Sequence, residues 1–325
     1  MRRLFKLIPV LLILTLLLLS GSAQAAAKDK YPDKIRFGYQ PGHTLILIPK
    51  IHGWLEEEFA KEGIKIEYQK FISGPPIIEA FAGGRLDFGT TGDQPAIQAR
   101  ANNIDLKAVS VYASGYRGYG LVAPPGSDIR TPQDLKGKKV AITVGSVGHQ
   151  LLYLYLKSAG LTVKDVQLVN LQPSDMRSAL ATRAIDAVVT WEPFISSFEN
   201  DKIGVHVLNG KGVKTVVNVT LVTGSFAKQY PDVVRRILKI HARAEKWIHD
   251  NPEKAVDLIA KETGFKRNVV ADQLSKTNLD IRLTDAAISS IADTAHFIRE
   301  TNVIRKDVDI RELVDTSYLK AIGVQ

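Results

Sequence analysis

The 325-residue chain contains no cysteine. It can therefore form no disulfide, supply no thiolate to a zinc ion and use no cysteine as a nucleophile. We expect no acylated lipoprotein anchor either, because that anchor requires a cysteine. The absence removes several classes of small secreted, redox and metal-binding protein at once.

Common enzyme signatures are missing as well. The chain has no His-Glu-x-x-His helix, no Gly-x-Ser-x-Gly elbow, no P-loop and no Gly-x-Gly-x-x-Gly fingerprint. Its seven histidines are scattered, without metal-ligand spacing. The sequence therefore predicts a protein without catalytic residues, without a bound metal and without a cofactor.

Charge of one sign is not concentrated anywhere. Lysine and arginine number 43 against 34 acidic residues, for a formal charge of +9. The densest basic stretches, Lys136–Lys139 and Arg235-Arg236, are isolated and lack interleaved aromatic residues. We expect no nucleic-acid partner, whereas a mild positive bias is compatible with the attraction of small anions.

The first 25 residues differ from the rest. Arg2, Arg3 and Lys6 precede an apolar run, Leu7–Leu19, and Ala23-Gln24-Ala25 offers small residues for cleavage. This is the pattern of a secretory signal peptide. The alternative, a membrane anchor, needs about 20 apolar residues, more than the run supplies. We expect residues 1–25 to be removed and the mature protein to be periplasmic.

After this segment, β-rich stretches alternate with amphipathic helical ones, a pattern typical of an α/β fold. Ile35–Tyr39 is a predicted strand, and the apolar positions from Leu45 to Phe59 recur at helical spacing until Gly63. From Pro231 onward the chain is helical. At about 100–200 residues per domain, the length favours two domains.

An internal repeat supports two similar units. Residues 84–95 resemble residues 182–193: each passes from a helix through an aspartate and a strand to a threonine, a carboxylate and a proline. In both, six positions separate the two carboxylates, Asp87 from Asp93 and Asp186 from Glu192. The spacing of roughly 100 residues is too long for a solenoid. It predicts two lobes that face each other, with coincidence as the alternative.

The segment Gly145-Ser146-Val147-Gly148-His149 is the best candidate anion site. It lies between a predicted strand and helix, where ligands of open α/β sheets bind. Glycines allow backbone N–H groups to approach, Ser146 adds a hydroxyl, and the helix dipole favours negative charge. The alternative is that Ser146 only caps the helix.

Four other residues carry two interpretations each. Asp93 and Glu192 are either site residues or helix caps. Trp191, at a strand exit, lines an apolar part of a ligand or belongs to the core. His149, just inside a helix start where a cation is disfavoured, is a neutral donor or a surface residue.

As a set, these motifs resemble the periplasmic aliphatic-sulfonate-binding proteins of ABC importers, within the wider nitrate, sulfonate and taurine binding family. The similarity runs from about Lys34 to Arg311. The residues that carry it are Gly38-Tyr39-Gln40, Thr91-Gly92-Asp93-x-Pro95, Gly145-Ser146-x-x-His149-x-Leu151-Leu152, Leu171-x-Pro173-x-Asp175-x-Arg177, Asp186-Ala187 and Glu192-Pro193-Phe194.

The resemblance implies a two-lobed type II periplasmic binding protein fold, with a hinge and an interlobe cleft. Lobe one would comprise residues 26–113 plus 220–325, and lobe two residues 114–219. The two crossovers would form the hinge. The residues implied to face the ligand in the cleft are Gln40, Thr91, Gly92, Asp93, Gly145, Ser146, His149, Trp191 and Glu192.

The function implied is that of a monomeric receptor. It would capture a small organosulfonate and deliver it to an ABC permease in the inner membrane. Taurine, nitrate or another small anion is the alternative ligand. A pyrimidine-precursor enzyme or a ligand sensor on the same fold is the alternative class. One departure bears on the substrate: Gly145–Gly148 holds a single serine where the sulfonate proteins are serine-rich, which shifts the anion toward backbone N–H groups.

Overall fold

The computed structural model describes residues 30–324. The signal peptide predicted over residues 1–25 lies outside the described residues. Within residues 30–324, no helix combines the length and the apolar character needed to cross a membrane.

The described chain contains two five-stranded sheets. The first has the order β2-β1-β3-β10-β4 and the second the order β7-β6-β8-β5-β9. The strands are β1 (Lys34–Tyr39), β2 (Lys65–Lys70), β3 (Phe88–Gly92), β4 (Leu106–Gly115), β5 (Tyr119–Ala123), β6 (Lys139–Ile142), β7 (Gln167–Asn170), β8 (Ala187–Trp191), β9 (Val205–Asn209) and β10 (Val216–Thr223).

The two sheets correspond strand by strand. In the first, β1 runs parallel to β2 and β3, and β10 runs antiparallel to β3 and β4. In the second, β6 runs parallel to β7 and β8, and β5 runs antiparallel to β8 and β9. The fourth strand of each sheet, β10 in the first and β5 in the second, directly follows a segment in which the chain passes over from the other sheet. The predicted two-lobed α/β fold is confirmed.

The helices are α1 (Thr44–His52), α2 (Trp54–Phe59), α3 (Gly74–Ala82), α4 (Asp93–Ala101), α5 (Val147–Ser158), α6 (Pro173–Ala181), α7 (Phe194–Asn200), α8 (Gly224–Gln229), α9 (Pro231–Asp250), α10 (Pro252–Thr263), α11 (Arg267–Lys276), α12 (Asp285–Glu300), α13 (Ile310–Leu313) and α14 (Ser317–Ala321). Short 3-10 turns cover Ala60–Glu62, Pro132–Leu135 and Val163–Asp165.

One predicted helix is two. The apolar positions between Leu45 and Phe59 indicated a single helix up to Gly63, but α1 ends at Gly53, which adopts a left-handed conformation with φ of 67°. Glycine takes this conformation without the steric penalty of a Cβ atom. Both helices still bury their apolar residues, Leu45 and Leu55 among them, against the first sheet.

Each sheet has its own core. The core of the first sheet includes the apolar faces of the C-terminal helices α9, α10 and α12, through residues such as Leu238, Ile259 and Ile298. One face of the second sheet packs against α5 and the other against α6 and α7. The C-terminal helices therefore complete the unit built on the first sheet.

The chain crosses between the sheets twice, through residues 116–118 and 210–215. Strand β10 starts at Val216, which pairs with Gly115 of the first sheet. The boundary drawn from the sequence between residues 219 and 220 thus falls inside β10. The crossings bring the ends of β4, β5 and β10 together between the two sheets.

Candidate ligand-binding cleft

A cavity of about 40 Å³ lies between the two units. Loops that follow strands β1, β3, β6 and β8 form its walls, and residues beside the two crossings form its floor. The residues that line it are Gln40, Pro41, Gly42, His43, Gly74, Thr91, Gly92, Pro95, Tyr112, Ala113, Gly118, Tyr119, Ser146, Val147, Trp191, Glu192, Pro193, Phe194, Asn218, Gln273 and Thr277.

Six of the nine residues expected to face a ligand line this cavity. They come from both copies of the internal repeat and from the turns after β1 and β6: Gln40, Thr91, Gly92, Ser146, Trp191 and Glu192. Asp93, Gly145 and His149 do not line it. The structure shows what each of these three does instead.

Asp93 is fully buried and paired. Lys214 Nζ lies 2.8 Å from Asp93 Oδ2, and the Thr294 hydroxyl donates to the same oxygen at 2.7 Å. The cap of helix α4 is Gly92, and Asp93 is its first helical residue. Asp93 is therefore neither a helix cap nor a free carboxylate in the cleft; it holds the second crossing through Lys214.

Gly145 and His149 bond to each other. The Gly145 N–H donates to His149 Nδ1 at 3.2 Å, and Gly145 has a φ of 81°. Burial lowers the pKa of His149 to about 4, so the ring is neutral near pH 7. The Gly145 N–H is thus used inside the turn. The pair shapes the loop in front of helix α5.

Ser146 caps helix α5. Its hydroxyl accepts a bond from the Gly148 N–H at 3.2 Å and donates to the Thr143 carbonyl at 2.7 Å. The cap interpretation therefore describes this side chain, although Ser146 also lines the cavity. Within residues 30–324, the N–H of Val147 has no hydrogen-bond partner. The first free donor of this helix is therefore the Val147 backbone.

Glu192 lines the cavity and bonds to the first turn of helix α7, whose N-cap residue is Pro193. Its carboxylate accepts from the Ser196 N–H of helix α7 at 3.1 Å and from the Ser196 hydroxyl at 2.8 Å. Lys276 Nζ, from helix α11, lies 2.8 Å from Glu192 Oε1. Burial raises the pKa of Glu192, and Lys276 opposes that rise. The carboxylate lines the cavity with its charge already compensated.

Trp191 is both a wall residue and a core residue. It lines the cavity, is only 8% exposed and belongs to the core cluster of the second sheet. Its ring meets Phe194 edge-on, with centroids 6.2 Å apart. The indole therefore separates the cleft from the interior of the second unit.

The floor of the cavity contains residues that motif analysis missed. Asn218 Nδ2 donates to the Tyr119 hydroxyl oxygen and, at 3.3 Å, to the Ala113 carbonyl. Burial raises the pKa of Tyr119, so its hydroxyl keeps a proton that is free to be donated. A polar residue within the apolar run of β10 was the available signal for Asn218.

His43 and Gln273 were also missed. His43 lies three residues after Gln40, and that short spacing beside a predicted ligand-facing turn was a usable signal. Gln273 donates from Nε2 to the Gly42 carbonyl at 3.0 Å. No local pattern could have found Gln273, because helix α11 reaches the cleft only in the folded chain.

Comparison with known proteins identifies the family. A family model described as NMT1/THI5 like matches residues 40–255. The chain belongs to the NMT1/THI5-like family. A putative aliphatic sulfonates-binding protein of Bacillus subtilis (strain 168) is 34% identical over 96% of this chain and 95% of its own length. A protein of the same name from Escherichia coli (strain K12) is 32% identical over 91% of this chain and 93% of its own length.

A solved structure has the same architecture. It is the alkanesulfonate-binding protein SsuA from Xanthomonas axonopodis pv. citri bound to MOPS, with a TM-score of 0.81 and 27% identity, covering 87% of this chain and 98% of that one. The resemblance to aliphatic-sulfonate-binding proteins drawn from the sequence is confirmed.

Proposed function

We propose that the protein is a non-enzymatic receptor that captures a small organosulfonate in the periplasm and delivers it to an ABC permease. In this proposal it is exported by a signal peptide, residues 1–25, and works as a monomer. The curated relatives named as sulfonate-binding proteins support this function. The observation that carries it is a cleft whose walls offer neutral donors from both units and whose single carboxylate is already paired.

The charge of the cleft favours an anion with no cationic group. Of the described residues that line it, Glu192 alone is acidic, and none is lysine or arginine. Lys276 compensates Glu192 from behind the wall. A ligand ammonium would therefore compete with Lys276 for the carboxylate, whereas an alkanesulfonate would not. For this reason we expect an unsubstituted sulfonate to bind more tightly than taurine.

Donors for the anion come from two sides. The Val147 N–H points from the first turn of helix α5, where the helix dipole favours negative charge. The Tyr119 hydroxyl supplies a second donor from the floor. Hydrogen bonds to a charged group contribute about 1.5–3 kcal/mol each, so a few of them can replace the hydration of a sulfonate.

The size of the cavity fits a compact head group. A space of about 40 Å³ corresponds to about three water-sized groups, because one water needs roughly 10–15 Å³ measured in this way. A sulfonate presents three oxygens. Its alkyl part would lie against apolar wall residues, among them Trp191 and Phe194.

Delivery would depend on closure of the two units. A ligand that contacts Val147 on one side and the turn after β1 on the other binds the closed arrangement more tightly than the open one. It shifts the population toward closure by that difference in affinity. We assign the hinge to residues 116–118 and 210–215, the two segments that join the sheets.

Calorimetry of the mature protein with ethanesulfonate, taurine, nitrate and propionate tests the proposal. We expect ethanesulfonate to bind most tightly and to be recovered unchanged after denaturation. Because a sulfonate stays ionised, its affinity should be constant from pH 5 to 8. Preference for propionate over both sulfonates, or chemical conversion of ethanesulfonate, would overturn the receptor proposal.

A further inference from the structure

We propose that His43 donates its Nε2 proton to the anionic head group and so is a specificity-determining residue of the cleft. The inference rests on the proposed function and adds one residue and one bond to it. His43 is the N-terminal cap residue of helix α1 and lines the cavity on the side of the first sheet.

The tautomer of His43 follows from one backbone contact. The Gln40 N–H donates to His43 Nδ1 at 3.0 Å. A backbone N–H can only donate, so Nδ1 must be the unprotonated nitrogen of the ring. The proton of the neutral imidazole is therefore on Nε2. Thr90 Oγ1 also contacts Nδ1 and is placed to donate to it.

The surroundings of the ring keep it neutral. His43 is 4% exposed, its ring packs 4.5 Å from the ring of Tyr112, and no acidic side chain forms a salt bridge with it within residues 30–324. Burial lowers its pKa to about 3. The imidazole is thus uncharged over the range in which a periplasmic receptor works, and its donor does not depend on pH.

Within the described chain, hydrogen bonds to the His43 ring involve Nδ1 alone, and the residue lines the cavity. The Nε2 proton is therefore available for a hydrogen bond to an anion in the cleft. His149 provides the contrast. Its Nδ1 accepts a backbone N–H in the same way, but it does not line the cavity. Both units thus contain a contact between a backbone N–H and a histidine Nδ1, and of the two histidines only His43 lines the cleft.

Two variants distinguish a His43 side chain that donates a hydrogen bond from one that only packs against its neighbours. His43→Gln keeps an N–H donor at about the reach of Nε2, whereas His43→Phe keeps the ring and removes both nitrogens. Against ethanesulfonate in calorimetry, we expect His43→Phe to bind about 10- to 100-fold more weakly, the range expected for one hydrogen bond to a charged group. His43→Gln should recover most of that loss. His249→Phe, at an exposed histidine, is the matched control and should bind like the wild type.

Nuclear magnetic resonance of ¹⁵N-histidine-labelled wild-type protein tests the inference without a substitution. The ¹⁵N shifts of His43 should show protonated Nε2 and unprotonated Nδ1 from pH 5 to 8. Saturating ethanesulfonate should move the Nε2 proton downfield and leave Nδ1 unprotonated. A protonated Nδ1, or a ligand-saturated protein whose Nε2 signals do not move, would overturn the role of His43.

The same experiments separate this inference from the proposed function. If the wild type binds no sulfonate, the proposed function fails. If the wild type binds ethanesulfonate and both His43 variants bind it as tightly as the wild type, only the role of His43 fails. A loss in His43→Phe that His43→Gln does not recover, together with an unmoved Nε2 signal, would make His43 a packing residue and reject it as a donor.

Discussion

Lys276 and Glu192 form a partly buried ion pair between the two units, with Lys276 Nζ 2.8 Å from Glu192 Oε1. Glu192 follows β8 of the second sheet, whereas Lys276 ends helix α11, whose residue Val270 belongs to the core of the first sheet. The Glu192 side chain is only 4% exposed. The pair therefore fixes the charge of the cleft and links the units at the same time.

Replacement of Lys276 should destabilise the folded protein, because it leaves the buried Glu192 carboxylate without its cation. Lys276→Met leaves Glu192 with Ser196 as its remaining partner, and loss of one member of a buried pair typically costs about 3–5 kcal/mol. We expect a decrease of that order in the free energy of unfolding at pH 7, measured by urea denaturation. In a Glu192→Gln background the same lysine substitution should have a much smaller effect.

The penalty should also depend on pH. Burial raises the pKa of Glu192 in the folded state, so as pH rises above about 4.5 the unfolded carboxyl ionises more readily than the folded one. A carboxyl group whose pKa is raised by folding makes the free energy of unfolding decrease as pH rises. Lys276→Met removes the cation that counteracts the raised pKa of Glu192. The destabilisation should be larger at pH 8 than at pH 5. An equal penalty at both pH values, and in both backgrounds, would contradict the ion-pair explanation.

Trp191 should report ligand binding. It lines the cavity, whereas Trp54 and Trp247 lie together on the first unit with ring centroids 6.4 Å apart. Titration with ethanesulfonate should therefore produce a saturable change in tryptophan fluorescence that disappears in Trp191→Phe. Calorimetry of that variant checks that the ligand still binds. A change that persists undiminished would place the signal at Trp54 or Trp247.

Gly92 permits the close approach of the two units. A Cβ atom built on it would lie 2.2 Å from Val147 Cγ1, although its φ of −68° suits any residue. Gly92→Ala should thus hinder closure and weaken ethanesulfonate binding about 5- to 150-fold, the effect of an overpacking penalty of about 1–3 kcal/mol. Calorimetry measures this, and thermal unfolding checks that the fold remains intact.

Two further variants test the cause. Gly92→Ala combined with Val147→Ala removes the colliding methyl group and should recover the affinity. Gly83→Ala is the matched control, because its Cβ would approach other atoms no closer than 3.4 Å. If the double variant binds as weakly as Gly92→Ala, the contact with Val147 is not what limits closure.

His241 should make the fold sensitive to acid. It is fully buried in helix α9, neither ring nitrogen has a partner, and burial lowers its pKa to about 4. Below pH 6.5 the His241 imidazole binds a proton in the unfolded chain but not in the folded chain. The free energy of unfolding therefore decreases with decreasing pH, by up to about 1.4 kcal/mol per pH unit until about pH 4. His241→Phe should reduce that slope in denaturant unfolding at pH 4.5 to 7.

Local sequence patterns determined much of the architecture. Apolar periodicity predicted a helical chain from Pro231 onward, and helices α9 to α14 lie there. The internal repeat of residues 84–95 and 182–193 predicted two matching units because each copy contains a strand and the turn that follows it. Such signals work because helix and strand periods depend on residues close together in sequence.

The tertiary structure decided the chemistry of the cleft. The sequence marked Asp93 and Glu192 as carboxylates with two possible roles, and their actual partners stand far away along the chain. Thr294 lies 201 positions from Asp93, and Lys276 lies 84 positions from Glu192. Charge compensation and the approach of Gly92 to Val147 both require distances between separate elements. Because only packing sets those distances, the sequence determined which turns reach the cleft, and the fold determined which of their groups are free to bind.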